Sequence, residues 1–353
     1  MTKKEIIKKI LKCYLITRIF LIFLMVLDNF LLKIKYPSIP SIFYLYDGEH
    51  YLNIAKNGYT IYYLYAFFPG VPLLIRYLGK IGFLLLNQIC VILTSYLLYM
   101  IGDKYIKINK PLTPVIFWLI SPIALMTMLF YTEAIFVFLT VLVYYLYREQ
   151  KYYLLLGIIL GLCSVVRSTG SILFFTVFIL MIIDLFKKRI KIKHIIITYI
   201  PATIISCLYP TYLYFKTGNA LKFIEVQSYW LKERTNIFRI LYDVVVKTMQ
   251  DPQMIFIINS ILTLVIVTFF VKYIVNHHKE KNYYDIYLYF IMTLIIICST
   301  IKGNGDPLTS YYRYIFACFP VYYMIKDKVV NYALLAVFSI NVCSFFLFNT
   351  YFF

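Results

Sequence analysis

Apolar positions in this chain gather into long runs, and the polar positions between them form short, mostly basic stretches. An apolar run of about 18 residues or more is long enough to cross the hydrocarbon core as a helix. Within the runs Ile, Leu, Phe and Tyr follow one another without the strict alternation of a half-buried strand. A lipid-embedded backbone must also close its own hydrogen bonds, so the pattern predicts helices and excludes open sheets. At about 20 residues per crossing, about eleven spans are expected, over 15–32, 82–101, 111–129, 132–147, 153–167, 170–186, 194–214, 253–273, 283–301, 311–325 and 329–350. The expected fold class is all-α, a polytopic transmembrane bundle filling 1–353 as a single integral-membrane domain. Segment 64–80 departs from the pattern. Pro69, Gly70 and Pro72 interrupt its apolar stretch, so a half-inserted or kinked element is expected there.

Composition supports this reading. With 62% apolar and 14% charged residues, the 353-residue chain lacks the charge to cover a soluble surface of its size. A net charge of +19 would suggest a nucleic-acid partner in a soluble protein. Threading the chain through the spans removes that need. With the N-terminus cytoplasmic, one side receives Lys3, Lys4, Lys8, Lys9 and Lys12, then Lys104, Lys107 and Lys110, then Arg148 and Lys151. Lys187, Lys188, Arg189, Lys191 and Lys193 follow, then Lys272, Lys279 and Lys281, and finally Lys326 and Lys328. Every loop assigned to the cytoplasm is basic, as the positive-inside rule requires. The two longer loops, about 33–63 and 215–250, fall on the other side. Segment 1–12 with the run after it reads as a signal anchor, because no small-residue cleavage site follows. Tyrosines near the span ends fit an interfacial aromatic belt. The seven cysteines are scattered without a CxxC pair, and His277 and His278 sit in a Lys-rich loop, so no disulfide framework and no metal site is expected.

Candidate chemistry concentrates in the first external loop. Tyr46-Asp47-Gly48-Glu49-His50-Tyr51 sets two carboxylates and an imidazole among aromatics beside the membrane. Asp47 also suits the N-cap of a short interfacial helix ending at Gly58, with Glu49 and His50 in its first turn. On helical spacing Asp47 shares a face with Tyr51, and Glu49 with Asn53. On the same side fall Glu133 in a tight turn, Arg167 in the next, Gln227 and Trp230 in the long loop, and Lys302, Asp306 and Arg313 in the last. An acid at membrane level is costly and usually purposeful. Arg167 also fits snorkelling to the interface, and Trp230 an interfacial anchor. Asp184, on the cytoplasmic side, reads as a solvated loop edge, and no comparable acid–base cluster is expected there. A carboxylate beside arginines suits chemistry on a phosphorylated, membrane-borne substrate: the acid takes a proton from a hydroxyl, and the cations hold a departing phosphate.

At these residues the sequence resembles the GPI mannosyltransferase II family of the C-type (GT-C) glycosyltransferases. The resemblance rests on 46–51 with Ile54-Ala55 and Gly58-Tyr59, then Ala66-Phe67-Phe68-Pro69-Gly70-Val71-Pro72-Leu73. Ser121-Pro122, Tyr131-Thr132-Glu133-Ala134, Arg167-Ser168-Thr169-Gly170, and Thr217-Gly218-Asn219-Ala220 with Gln227 and Trp230 follow in order, and Tyr312-Arg313-Tyr314 is a fainter echo. Tyr46 stands where the family usually has Trp, and Asn219 where prokaryotic members often carry an acid. The resemblance implies a polyprenyl- or dolichyl-phosphate sugar donor, typically of mannose. It implies transfer with inversion to a hydroxyl of a lipid-linked or cell-surface glycan on the lumenal or extracellular side. Asp47 would be the general base, and Glu49, His50, Tyr51, Glu133, Arg167, Gln227, Trp230, Lys302 and Arg313 would bind substrate, with no metal or other cofactor. The membrane would be the plasma membrane in a prokaryote and the endoplasmic reticulum in a eukaryote.

Two other readings belong to different classes. A transporter or lipid-linked-sugar flippase would place polar sites near the bilayer midplane in broken helices of repeated halves. A non-catalytic membrane subunit would need none of these side chains for transfer.

Overall fold

The computed structural model describes residues 2–31, 43–230, 232–250, 283–297, 299–302 and 311–325, with isolated positions between 268 and 275 and between 328 and 339. The expected spans 253–273 and 329–350 lie for the most part outside the described residues, and Asp306 and residues 33–42 of the first long loop lie wholly outside them.

Helices dominate. In chain order they are α1 (Lys3–Leu31), α2 (Asp47–Asn57), α3 (Gly70–Ile101), α4 (Leu112–Leu119), α5 (Glu133–Glu149), α6 (Tyr153–Val166), α7 (Gly170–Phe186) and α8 (Ile192–Thr217). There follow α9 (Lys222–Glu225), α10 (Ile237–Gln250), α11 (Tyr284–Ile297), α12 (Tyr311–Ala317) and α13 (Val321–Met324). The one addition to an all-helical architecture, among the described residues, is an antiparallel ribbon. It pairs β1 (Lys232–Arg234) with β2 (Thr300–Lys302), Lys232 opposite Lys302.

Among the described residues, three helices are long and apolar enough to cross a membrane, over Lys3–Leu27, Gly70–Ile106 and Ile192–Thr217, and α6, α7 and α11 are shorter apolar helices. The surface is that of a membrane protein turned inside out relative to a soluble one. Ile81, Leu85, Ile89 and Leu93 form an exposed apolar stripe along α3, and Ile196, Ile200, Ile204 and Leu208 another along α8. Meanwhile Arg18, Asn87, Thr94 and Ser95 are buried. Contiguous apolar faces of this extent are not left to water.

Two expected spans are broken. The run 111–129 is α-helical only in α4 and then passes through turns and a short 3-10 segment, Met126–Met128, to Thr132, and 311–325 divides into α12 and α13. Pro122 and Pro320 sit at the breaks, where a missing N–H and a ring clash stop the helix. Unwound backbone inside a bundle needs partners for its carbonyls. Arg18 donates to the Ala124 carbonyl at 2.9 Å and to Thr127 Oγ1 at 2.9 Å. Asn87 Nδ2 donates to the Leu129 carbonyl at 2.9 Å, and Gln88 Nε2 to that of Thr127 at 3.0 Å. A charged residue in the middle of an apolar run thereby staples the segment that leads to Glu133.

Segment 64–80 is bent, but not at its prolines. Pro69 takes the cap position of α3 and Pro72 its first turn, where no backbone N–H is missed. The bend lies at Gly79, with φ 72° and ψ 172° inside α3. Elsewhere small residues let helices close up. α6 packs on α8 through Gly157 and Gly161, where a Cβ would lie 2.0 Å from the Thr198 carbonyl oxygen and 2.7 Å from Ile205 Cβ. This is a G-x-x-x-G spacing used for close backbone approach.

Candidate functional site

One end of the bundle joins four charged side chains from four separate segments. Asp47 opens α2, Glu133 opens α5, Arg167 follows α6 in the tight turn to α7, and Arg313 lies in α12. Arg313 Nη1 donates to Asp47 Oδ2 at 2.8 Å. Its Nε and Nη2 both donate to Glu133 Oε1, at 3.0 and 2.8 Å. Arg167 Nη1 donates to the same oxygen at 3.1 Å. Two acids and two bases thus alternate in a charge-balanced chain. Its interior is dry: the side chains of Glu133, Arg313 and Arg167 are 0%, 8% and 10% exposed, while that of Asp47 is 30% exposed. Buried charges persist when each is paired and hydrogen-bonded, as here.

Aromatic faces complete the pairing. Arg313 lies over the Tyr131 ring at 4.9 Å, and Arg167 over Tyr314 at 4.9 Å and Phe136 at 5.7 Å. Arg167 is therefore drawn into the bundle by Glu133 rather than extended to an interface by snorkelling. Asp47 is not the N-cap of α2 but its first residue. Tyr46 holds the cap position at φ 51°, ψ −117°, with no side-chain cap hydrogen bond. A bulky residue at positive φ is strained by about 1–3 kcal/mol, and such strain collects where geometry is imposed from outside. Here the strained residue immediately precedes the open carboxylate.

Next to the ion-pair chain stands an aromatic wall. His50 packs against Phe67, Tyr63 and Trp230 with ring centroids 5.0, 5.6 and 5.6 Å away. Tyr51 meets Phe67 edge-on at 5.2 Å. The His50 pKa is lowered, because burial disfavours the imidazolium more than the Asp47 and Glu49 carboxylates favour it. The Tyr51 hydroxyl is pushed upward by burial first and then by the negative charge of Asp47 and Glu133, against the pull of Arg313 and Arg167. Tyr51 therefore stays a neutral hydroxyl beside Asp47, on the face that helical spacing predicts.

Other expected site residues show no hydrogen bond to the chain of charges among the described contacts. Glu49 is exposed on α2. Gln227 donates to the Phe223 carbonyl of its own turn at 3.1 Å. Lys302 is placed in β2 by its backbone pairing with Lys232. Among the described residues no cluster of His, Cys, Asp and Glu is arranged to hold a metal ion.

The opposite end of α5 corrects a further expectation. Asp184 is buried, not a solvated loop edge, and accepts hydrogen bonds from Tyr147 at 2.7 Å and Arg189 at 3.2 Å. Asp285, also buried, pairs with Arg148 at 2.6 Å and accepts from Tyr144 at 3.1 Å. An acid–base cluster thus exists at each end of the bundle. The signal for Asp285 was an acid opening an apolar run, and for Arg18 a cation in the middle of one; both should be read by the cost of lipid burial. The second cluster has each carboxylate matched to a neighbouring guanidinium and tyrosine, the pattern of a structural lock.

No family model, curated protein or solved structure matches the chain.

Proposed function

We propose that this membrane protein is a glycosyltransferase of the GT-C kind. It would move a mannose or related hexose from a polyprenyl- or dolichyl-phosphate donor to a hydroxyl of a lipid-linked or surface glycan. The observation that carries the reading is the four-residue chain Asp47–Arg313–Glu133–Arg167, drawn from four segments and presenting one carboxylate outward. Structural ion pairs serve equally well when every member is closed off, whereas a general base needs an open acceptor atom within reach of a hydroxyl.

The hydrogen bonds support a division of roles. Arg313 spends its fork on two carboxylates and is a positioning residue, aiming Asp47 by its Oδ2 and leaving Oδ1 for the acceptor hydroxyl. Arg167 gives one N–H to Glu133 and keeps others for the donor phosphate. In the transfer the acceptor oxygen bonds to the anomeric carbon as its proton passes to Asp47. The bond from that carbon to the phosphate oxygen breaks, and its electron pair leaves with the phosphate, whose growing charge Arg167 stabilises. Attack from the opposite face inverts the configuration. The wall of His50, Tyr63, Phe67 and Trp230 offers ring faces to the sugar.

The bundle would carry about eleven crossings, the N-terminus would be cytoplasmic, and the Asp47 end would face the lumen or exterior. The partition of Asp47, Glu133, Arg167 and Arg313 from Arg148, Asp184 and Asp285 to opposite ends supports that threading.

A flippase or transporter is the second reading, favoured by the unwound buried backbone between α4 and α5. One assay separates the two. Membranes holding the protein receive radiolabelled polyprenyl-phosphate mannose, and the labelled product is characterised. Asp47→Asn is expected to lower transfer by roughly 10²–10⁴-fold while donor binding remains. Undiminished turnover in this variant, or consumption of nucleotide sugars alone, overturns the proposal.

A further inference from the structure

The geometry points to α10 as an interfacial anchor, a helix that lies in the plane of the membrane with its apolar stripe among the headgroups and upper acyl chains of the surrounding phospholipids. Phe238, Tyr242, Val245 and Met249 are all exposed, Phe238 at 79% and Met249 at 80%. Their spacing of i, i+4, i+7 and i+11 puts them within roughly 60° of arc at 3.6 residues per turn. Ile240, on the opposite side of the same helix, is buried. α10 is thus seated on the protein by one side and offers a second apolar side outward. Between the two lies a polar arc on which exposed Arg239 pairs with Asp243 at 3.7 Å.

Phospholipid is the occupant that fits this arrangement. The outward faces of α3 and α8 carry the same kind of exposed apolar stripe, so the α10 stripe continues a surface already suited to lipid. Its 14 residues extend about 21 Å, short of the roughly 30 Å hydrocarbon core, and the charged pair on its flank rules out full insertion. An amphipathic helix of this kind settles at the boundary of headgroups and acyl chains. Connectivity places it at the Asp47 end. The Thr235 N–H, just before α10, donates to the Ser299 carbonyl at 2.9 Å, and β1 pairs with β2. Ser299 follows the end of α11 at Ile297, whose carbonyl accepts from the Tyr311 hydroxyl of α12, the helix that carries Arg313. The anchor therefore sets the depth at which that end of the bundle meets the bilayer. The inference rests on the membrane character of the chain and not on the transfer chemistry, so the two fail separately.

The test uses the full-length protein in liposomes of phosphatidylcholine and phosphatidylglycerol. p-Benzoylphenylalanine replaces Phe238, Tyr242 or Met249, and in separate variants Arg239 or Asp243. After irradiation, intact-mass measurement should show an increase of one phospholipid at the three apolar positions and loss of that adduct at the two polar ones. A cross-linked species of twice the protein mass would assign the stripe to a second copy and overturn the inference. Equal lipid labelling on both arcs, or no lipid adduct at the apolar positions, would overturn it as well.

Discussion

Glu133 shows how much one side chain settles at the residue scale. It is fully buried and its Oε1 accepts from both Arg313 and Arg167, so it is the only anion held between two cations in the chain of charges. Glu133→Gln keeps the shape and removes the charge. Breaking a buried pair from one side costs about 3–5 kcal/mol because the remaining charge is stranded. Thermal unfolding in detergent should fall accordingly, and an unchanged midpoint would show that the pairing contributes nothing. His50 gives a pH dependence of defined sign. Its folded pKa lies below the ordinary imidazole value of 6.5, so below that pH the unfolded chain binds the extra proton more readily. Its contribution is present above about pH 6.5 and is lost as pH falls through the lowered folded value. His50→Gln should flatten the decline in unfolding temperature between pH 7 and pH 5. A wild-type slope retained by the variant would assign the dependence to other groups.

Elements are shaped here by single backbone positions as much as by apolar runs. Gly79 bends α3 at φ 72°, ψ 172°, and a Cβ there would meet nothing within 4 Å. Side-chain crowding therefore plays no part, and any effect of substitution comes from a conformation nearly closed to other residues. Gly79→Ala should cost about 1–3 kcal/mol despite its exposure, or straighten the helix. Unchanged stability with unchanged spacing across the bend, measured between spin labels at positions 74 and 85, would disprove this. The same scale explains Arg18. The break at Pro122 leaves carbonyls to be satisfied, and polar side chains of α1 and α3 reach across to those between α4 and α5.

For the molecule as a whole, the separation of the two charge clusters matters most. Glu133 and Arg148 stand fifteen positions apart on α5, about 22 Å along the axis, so the clusters lie at opposite ends of that helix. The proposed orientation makes a direct prediction. A cysteine in place of exposed Glu49 should react with a membrane-impermeant maleimide on intact cells, above the background of the native cysteines. One in place of exposed Lys151 should react only after permeabilisation. The reverse pattern would put Asp47 in the cytosol and end the proposed mechanism.

The sequence by itself determined the membrane character, the helical class and the candidate residues Asp47, Glu133, Arg167 and Arg313, because run length and the cost of intramembrane charge are local properties; it put Arg313 in a loop, whereas the structure places it in α12. It also marked the ends of α5, α6 and α7 to within a few residues. Tertiary structure alone decided which charges meet. Asp47 and Arg313 are separated by 266 positions, and no spacing rule reaches that far. It decided equally that Asp184 is locked to Tyr147 and Arg189 rather than solvated, and that the runs at 111–129 and 311–325 break. Hydrophobicity counts side chains, whereas continuity of a helix depends on whether neighbours supply the hydrogen bonds that a proline removes.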